Sequence, residues 1–137
     1  DENDVVLFAH AIRKAGLDFP LQVVTDGQMA IDYLRGKGAF ADRTKFPWPS
    51  LVLLDLKLPK VPGLEVLELM LQDPGLQMPV VVLPSSQQGS DSATAYRLGA
   101  NAYVVKPGDM GRLIEMVKLI HGFWLQLNTP HPLTQKR

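Results

Sequence analysis

Leu51-Val52-Leu53-Leu54-Asp55 decides the fold: four apolar residues run without interruption and stop at a carboxylate. Such a run reads as a strand of a parallel sheet, because a strand covered on both faces needs apolar residues at every position, not at alternate ones. In open parallel sheets, ligands and chemistry gather outside the carboxyl ends of the strands, so Asp55 is the first chemical signal in the chain. Alone, an aspartate there is more often a turn cap or a solvated group. Its company has to decide.

Towards the C-terminus, Leu58-Pro59-Lys60-Val61-Pro62-Gly63 is a turn. After it, Leu64, Leu67, Met70 and Leu71 share one helical face, closed by Asp73-Pro74-Gly75. Pro79 to Leu83 repeats the buried-strand pattern. A polar loop from Ser85 to Asp91 leads to a short helix around Ala93 to Leu98, and Ala102 to Val105 reads as a further strand ended by Lys106-Pro107. Asp109 is placed as N-cap of a last helix whose Met110, Leu113, Ile114, Val117, Ile120, Trp124 and Leu127 keep helical spacing. Towards the N-terminus, residues 36–50 form a long surface loop. Leu21 to Thr25 is rich in β-branched residues and reads as a strand, followed by Asp26-Gly27, whose carboxylate caps a helix through Ala30, Ile31, Tyr33 and Leu34. Residues 4–16 form an amphipathic helix. Alternating strands and helices predict an α/β fold, a doubly wound parallel sheet with right-handed crossovers. The 137 residues suit one domain, placed at 1–128, with a proline-containing tail at 129–137.

The whole-chain properties exclude several classes of function. Fourteen basic residues balance fourteen acidic ones, which argues against nucleic-acid binding by bulk charge. No apolar run approaches the roughly 20 residues needed to cross a bilayer, so no membrane partner is expected. The absence of cysteine rules out thiol chemistry and suits a reducing cytoplasm. His10, His121 and His131 lie far apart and show no metal-ligand spacing.

What raises Asp55 above a turn cap is Lys106, which ends another buried strand and is followed by Pro107, which fixes the backbone beyond it. A carboxylate beside an ammonium group can act as nucleophile on phosphorus, with the cation offsetting charge on the phosphoryl oxygens. Three stretches, Leu53-Leu54-Asp55-Leu56-Lys57-Leu58-Pro59, Pro62-Gly63-Leu64-Glu65-Val66-Leu67 and Leu98-Gly99-Ala100-Asn101-Ala102-Tyr103-Val104-Val105-Lys106-Pro107, resemble the CheY-like response-regulator receivers. The resemblance runs from about Asp4 to Leu127. The loop before Trp48 and the ending Phe123-Trp124-Leu125 are similar to stand-alone regulators paired with bacterial phytochrome-like sensor kinases.

The resemblance implies a five-stranded flavodoxin-like sheet of order 2-1-3-4-5 and a signalling protein, not an enzyme. Asp55 takes a phosphoryl group from a sensor histidine kinase, Lys106 contacts the acyl phosphate, and Tyr103 is the aromatic residue that turns inward on activation. Mg2+ is held by the Asp55 carboxylate, the main-chain carbonyl of Lys57 and an acidic pair ending the first strand; hard oxygen donors suit this ion. The output is a downstream protein of unknown identity or a homodimer, since Phe123, Trp124 and Leu127 suit a dimer surface as well as packing on the core.

Two departures from the family pattern stand out. The family's first strand is absent from the chain as given, whose Asp1-Glu2-Asn3-Asp4 leads straight into a helix. The expectation is a chain that starts late, or a strand supplied by another copy, with Asp1 either the last member of the acidic pair or the residue after it. Pro84 falls where receivers carry a threonine or serine, and it has neither a hydroxyl nor an N–H. Ser85 is the candidate substitute. These departures support an alternative, an atypical receiver that binds its partner independently of phosphorylation. A phosphohydrolase of the haloacid-dehalogenase kind is disfavoured, because its second aspartate is here Lys57.

Overall fold

The computed structural model describes residues 2–18, 20–84 and 89–135. In chain order its elements are α1 (Glu2–Lys14), α2 (Gly27–Arg35), β1 (Val52–Leu54), α3 (Gly63–Gln72), β2 (Val80–Val82), α4 (Gly89–Arg97), β3 (Ala102–Tyr103), α5 (Met110–Ile120) and α6 (Pro132–Gln135). They fall into two compact units: residues up to 23 with 106–129, and residues 24–105 with the end of the chain from 130.

The larger unit holds the sheet. β1 pairs in parallel with β2, Val52 opposite Val80 and Leu54 opposite Val82, and β2 pairs in parallel with β3, Val82 opposite Tyr103. The valine-rich β2 is buried at every position, as expected for a strand with neighbours on both sides and cover on both faces. Against the sheet pack Val66, Leu67 and Met70 of α3 and Ala30, Ile31 and Leu34 of α2. Burying a side chain of this size is worth about 2 kcal/mol, so this apolar cluster is what fixes α2 and α3 on the strands. Asp26 caps α2 as expected, its carboxylate accepting from the Met29 N–H.

In the smaller unit α1 packs on α5, with Ala11 and Ile12 of the first and Leu113, Met116 and Val117 of the second buried. Asp109 caps α5 by accepting from the Gly111 N–H.

The strand expected at 21–25 is not one: these residues have no ladder partner among the described residues. β-Branched composition favours extended backbone, but a strand exists only through a neighbour, and in the family's order this strand pairs with the first. The sheet therefore shows three strands among the described residues, where the family's five less its first were expected. β3 is also shorter than 102–105. The Val104 N–H donates to the Val82 carbonyl at 2.8 Å, and the next rung of the parallel ladder would need an N–H on residue 84. Pro84 has none, and the ladder stops. α4 starts at Gly89, earlier than its apolar spacing revealed, because the polar residues of its first turn carry no periodicity. Beyond Ile120 the last helix does not continue as α: residues His121–Leu127 take the wider i→i+5 winding, with the Asn128 N–H on the Phe123 carbonyl at 2.7 Å. Apolar spacings of three and four do not separate the two windings, and here adjacent Phe123 and Trp124 rings pack edge to face, 4.9 Å apart.

The long loop 36–50 carries a small core of its own. The Tyr33, Phe40 and Phe46 rings pack together, and the Arg43 guanidinium lies 4.5 Å from the Trp48 ring centre and 5.5 Å from that of Tyr33. Arg43 also donates to the carbonyls of Phe46 and Leu34, each at 2.9 Å, tying the loop to the C-terminal turn of α2. Arg43→Met keeps the aliphatic stem and removes both charge-assisted bonds; it is expected to lower stability by about 2 kcal/mol in urea unfolding. An unchanged midpoint would show that the aromatic packing alone holds the loop. Burial raises the Tyr33 pKa above its ordinary value, with Arg43 opposing this, and the phenol donates to the Pro47 carbonyl at 2.8 Å. A raised folded-state pKa stabilises fully below the unfolded value of about 10, and that contribution fades as pH rises through the folded value.

Candidate functional site

The apolar run of β1 ends because the chain must leave the sheet, and Asp55 makes the exit. The ladder reaches one residue past the strand, with the Leu83 N–H on the Leu54 carbonyl at 2.8 Å, so Asp55 and the buried Pro84 follow neighbouring strands at the same edge of the sheet. Tyr103, half-buried at the end of β3, stands at that edge as well. Asp55 is half-buried, and its Oδ1 accepts from the Lys57 N–H at 3.0 Å, so the carboxylate is oriented by the loop it begins.

That loop, residues 56–62, is folded tightly back. The Gly63 N–H donates to the Leu56 carbonyl at 3.0 Å, closing the loop where α3 begins. A Cβ on Gly63 would lie 2.3 Å from the Asp55 carbonyl oxygen and 2.8 Å from the Leu56 Cα, so only glycine lets α3 start this close to the strand end. Within the loop the Val61 N–H donates to the Pro59 carbonyl at 2.8 Å across Lys60, whose φ is +68°. A three-residue turn with positive φ at a residue other than glycine is strained backbone.

The loop is also docked on the start of α2. The Gly27 N–H donates to the Pro59 carbonyl at 3.0 Å, and a Cβ on Gly27 would fall 1.8 Å from the Val61 carbonyl oxygen. Asp26 is buried: Oδ1 takes the Met29 N–H at 2.8 Å, and Oδ2 faces Lys60 Nζ at 3.6 Å. The sequence had assigned Asp26 a capping role and Lys60 none. Pro59 and Pro62 on either side of Lys60 are the signal of a turn, but nothing local marks its partner at the N-cap of α2.

Of the expected site residues, the structure brings Asp55, Lys57, Pro84 and Tyr103 to one edge of the sheet. Lys106 is half-buried in the smaller unit. Ser85 and Asp1 lie outside the described residues. Asp55 offers a carboxylate and Lys57 a carbonyl, hard oxygens of the kind a divalent cation such as Mg2+ takes. Among the described residues no three histidine, aspartate or glutamate side chains gather as a metal cage, so these two oxygens supply only part of a coordination shell.

Residues 6–118 match the response regulator receiver domain family. Among curated proteins the chain is 36% identical over 127 residues to the response regulator Rcp1 of Synechocystis sp., covering 92% of this chain and 84% of that protein. Among solved structures it is similar to RPA3017, a response regulator in red light signaling of R. palustris, with a TM-score of 0.90, 31% identity, and coverage of 96% of this chain and 92% of that one. The phosphorylated cyanobacterial phytochrome response regulator RcpA matches with a TM-score of 0.86 and 37% identity, over 95% of this chain and 91% of that one. These likenesses bear out the flavodoxin-like α/β fold and the phytochrome-type subgroup, and they favour phosphorylation-dependent signalling over the constitutive binding module. No helix among the described residues is long and apolar enough to cross a membrane. The chain belongs to the response-regulator receiver family.

Proposed function

We propose that Asp55 is the phosphoryl acceptor of this receiver, loaded by a sensor histidine kinase of the phytochrome-like type in the cytoplasm. The observation that carries the proposal is the Asp55 carboxylate at the sheet edge, half-buried and oriented by the Lys57 N–H of a loop docked on α2. In the transfer an Asp55 oxygen forms the new bond to phosphorus, the bond from phosphorus to the kinase histidine nitrogen breaks, and that nitrogen keeps the electron pair. Fixing the attacking oxygen in advance removes part of the entropic cost of the step. Lys106, with Ser85 in place of the hydroxyl that Pro84 lacks, contacts the transferred group, and Tyr103 changes position with the switch. Mg2+ when bound neutralises charge on the phosphoryl oxygens, with the Asp55 carboxylate, the Lys57 carbonyl and an acidic contribution at Asp1 as its donors. A solved relative, Rcp1, is known in a Mn(2+)-bound form.

The receiver domain spans 1–128, followed by the tail at 129–137. The output is a shift between two conformations read by a downstream protein or a second copy of the chain, not turnover of a substrate, and no nucleic acid takes part. Phe123 and Leu127, exposed near the end of the smaller unit, suit such a contact. The transfer is tested with a radiolabelled, autophosphorylated phytochrome-type kinase. Label is expected to move to this chain as a hydroxylamine-sensitive acyl phosphate. Label that stays on a kinase able to load another regulator of this subgroup would count against the pairing with this kinase type.

A further inference from the structure

We infer that the Asp26–Lys60 pair is a latch that positions the acceptor, so that these two residues act on Asp55 through the loop between them. The chain of contacts is continuous. Asp26 is held by α2, since Oδ1 takes the Met29 N–H at 2.8 Å. Its other oxygen holds Lys60 Nζ at 3.6 Å, and Lys60 is the residue whose backbone sits at φ +68° in the three-residue turn. That turn presents the Pro59 carbonyl to the Gly27 N–H at 3.0 Å, and the same loop supplies the Lys57 N–H that orients the Asp55 carboxylate at 3.0 Å.

A strained turn persists only where its surroundings over-determine it. The lysine stem spans from the turn to a buried carboxylate, while its ammonium end stays largely in water, the side chain being 70% exposed. An exposed pair contributes little, but this one has a buried anion on one side, and it acts on a conformation that glycine would adopt without strain. Lys60 is therefore a positioning residue, distinct from the groups that touch the phosphoryl group. Pro59 and Pro62 limit the other ways the loop could fold, and the absent Cβ of Gly27 leaves room for the dock.

The inference rests on Asp55 as acceptor for its functional consequence, but its structural half is tested independently of that reading. In the full-length protein, Lys60→Gly, Lys60→Arg and Asp26→Asn are compared by thermal unfolding, by 15N-resolved amide spectra, and by phosphoryl uptake from acetyl phosphate with Mg2+. Lys60→Gly relieves the positive φ, so its Tm is expected to equal or exceed that of the parent. Its Lys57 and Gly27 amide signals shift, those amides exchange faster with solvent, and uptake falls about threefold. Asp26→Asn keeps the cap to Met29 but weakens the latch, and shows the same amide shifts; Lys60→Arg restores the parent spectrum. Parent-like Lys57 and Gly27 amides in Lys60→Gly would overturn the latch. If the parent itself takes up no phosphoryl group, Asp55 as acceptor fails, and the amide signals still decide whether the latch exists.

Discussion

Alanine at position 63 is expected to cost about 3 kcal/mol of folding stability and to remove phosphoryl acceptance even under conditions where the variant stays folded. The new Cβ would meet the Asp55 carbonyl oxygen at 2.3 Å and the Leu56 Cα at 2.8 Å. Both neighbours are backbone, so no rotamer change relieves the clash. Either the start of α3 retreats, breaking the Gly63 N–H bond to the Leu56 carbonyl, or the peptide following Asp55 turns and takes the carboxylate away from the Lys57 N–H. The first route loosens α3, whose Val66 and Leu67 are essentially fully buried; the second misplaces the nucleophile. No side-chain cap helps to hold this helix end, since the N-cap is Pro62, so the close approach at Gly63 is what sets where α3 begins. Urea unfolding and acetyl phosphate uptake measure the two effects separately. Parent-like values for both would show that the loop can absorb a methyl group and is not tightly packed against the strand end.

The sequence made legible those features whose causes are local or compositional. The runs at 51–54 and 79–83 declared buried parallel strands because every position had to be apolar. Asp26 and Asp109 declared helix starts because an N-cap needs only the residues just beyond it. Asp55 was singled out because a buried strand has to end somewhere and this one ends on a carboxylate. The misses share a different cause. Residues 21–25 have strand composition but no ladder partner among the described residues, and composition does not supply a partner. Pro84 stands out for lacking both a hydroxyl and an N–H, but that the missing N–H shortens β3 becomes visible only once the register places residue 84 at the next rung. The winding at His121–Leu127 escaped because apolar spacing does not distinguish i→i+4 from i→i+5 bonding. Lys60 escaped most completely. A lysine between Leu58-Pro59 and Val61-Pro62 gives no hint of positive φ, and its partner Asp26 lies far off in sequence, at the N-cap of α2.

In the proposed function Asp55 carries the phosphoryl group. Its bond to the Lys57 N–H and its place at the end of a buried strand, level with Pro84 of the neighbouring strand, support that assignment. Asparagine at this position keeps the size of the side chain and an oxygen able to accept from Lys57, so the fold is expected to stand while the anionic nucleophile is lost. The most direct measurement is the intact mass of the full-length protein after incubation with acetyl phosphate and Mg2+, beside the Asp55→Asn variant. A Mg2+-dependent gain of one phosphoryl group is expected in the parent and none in the variant. An equal gain in both, or none in a folded parent, would contradict the assignment.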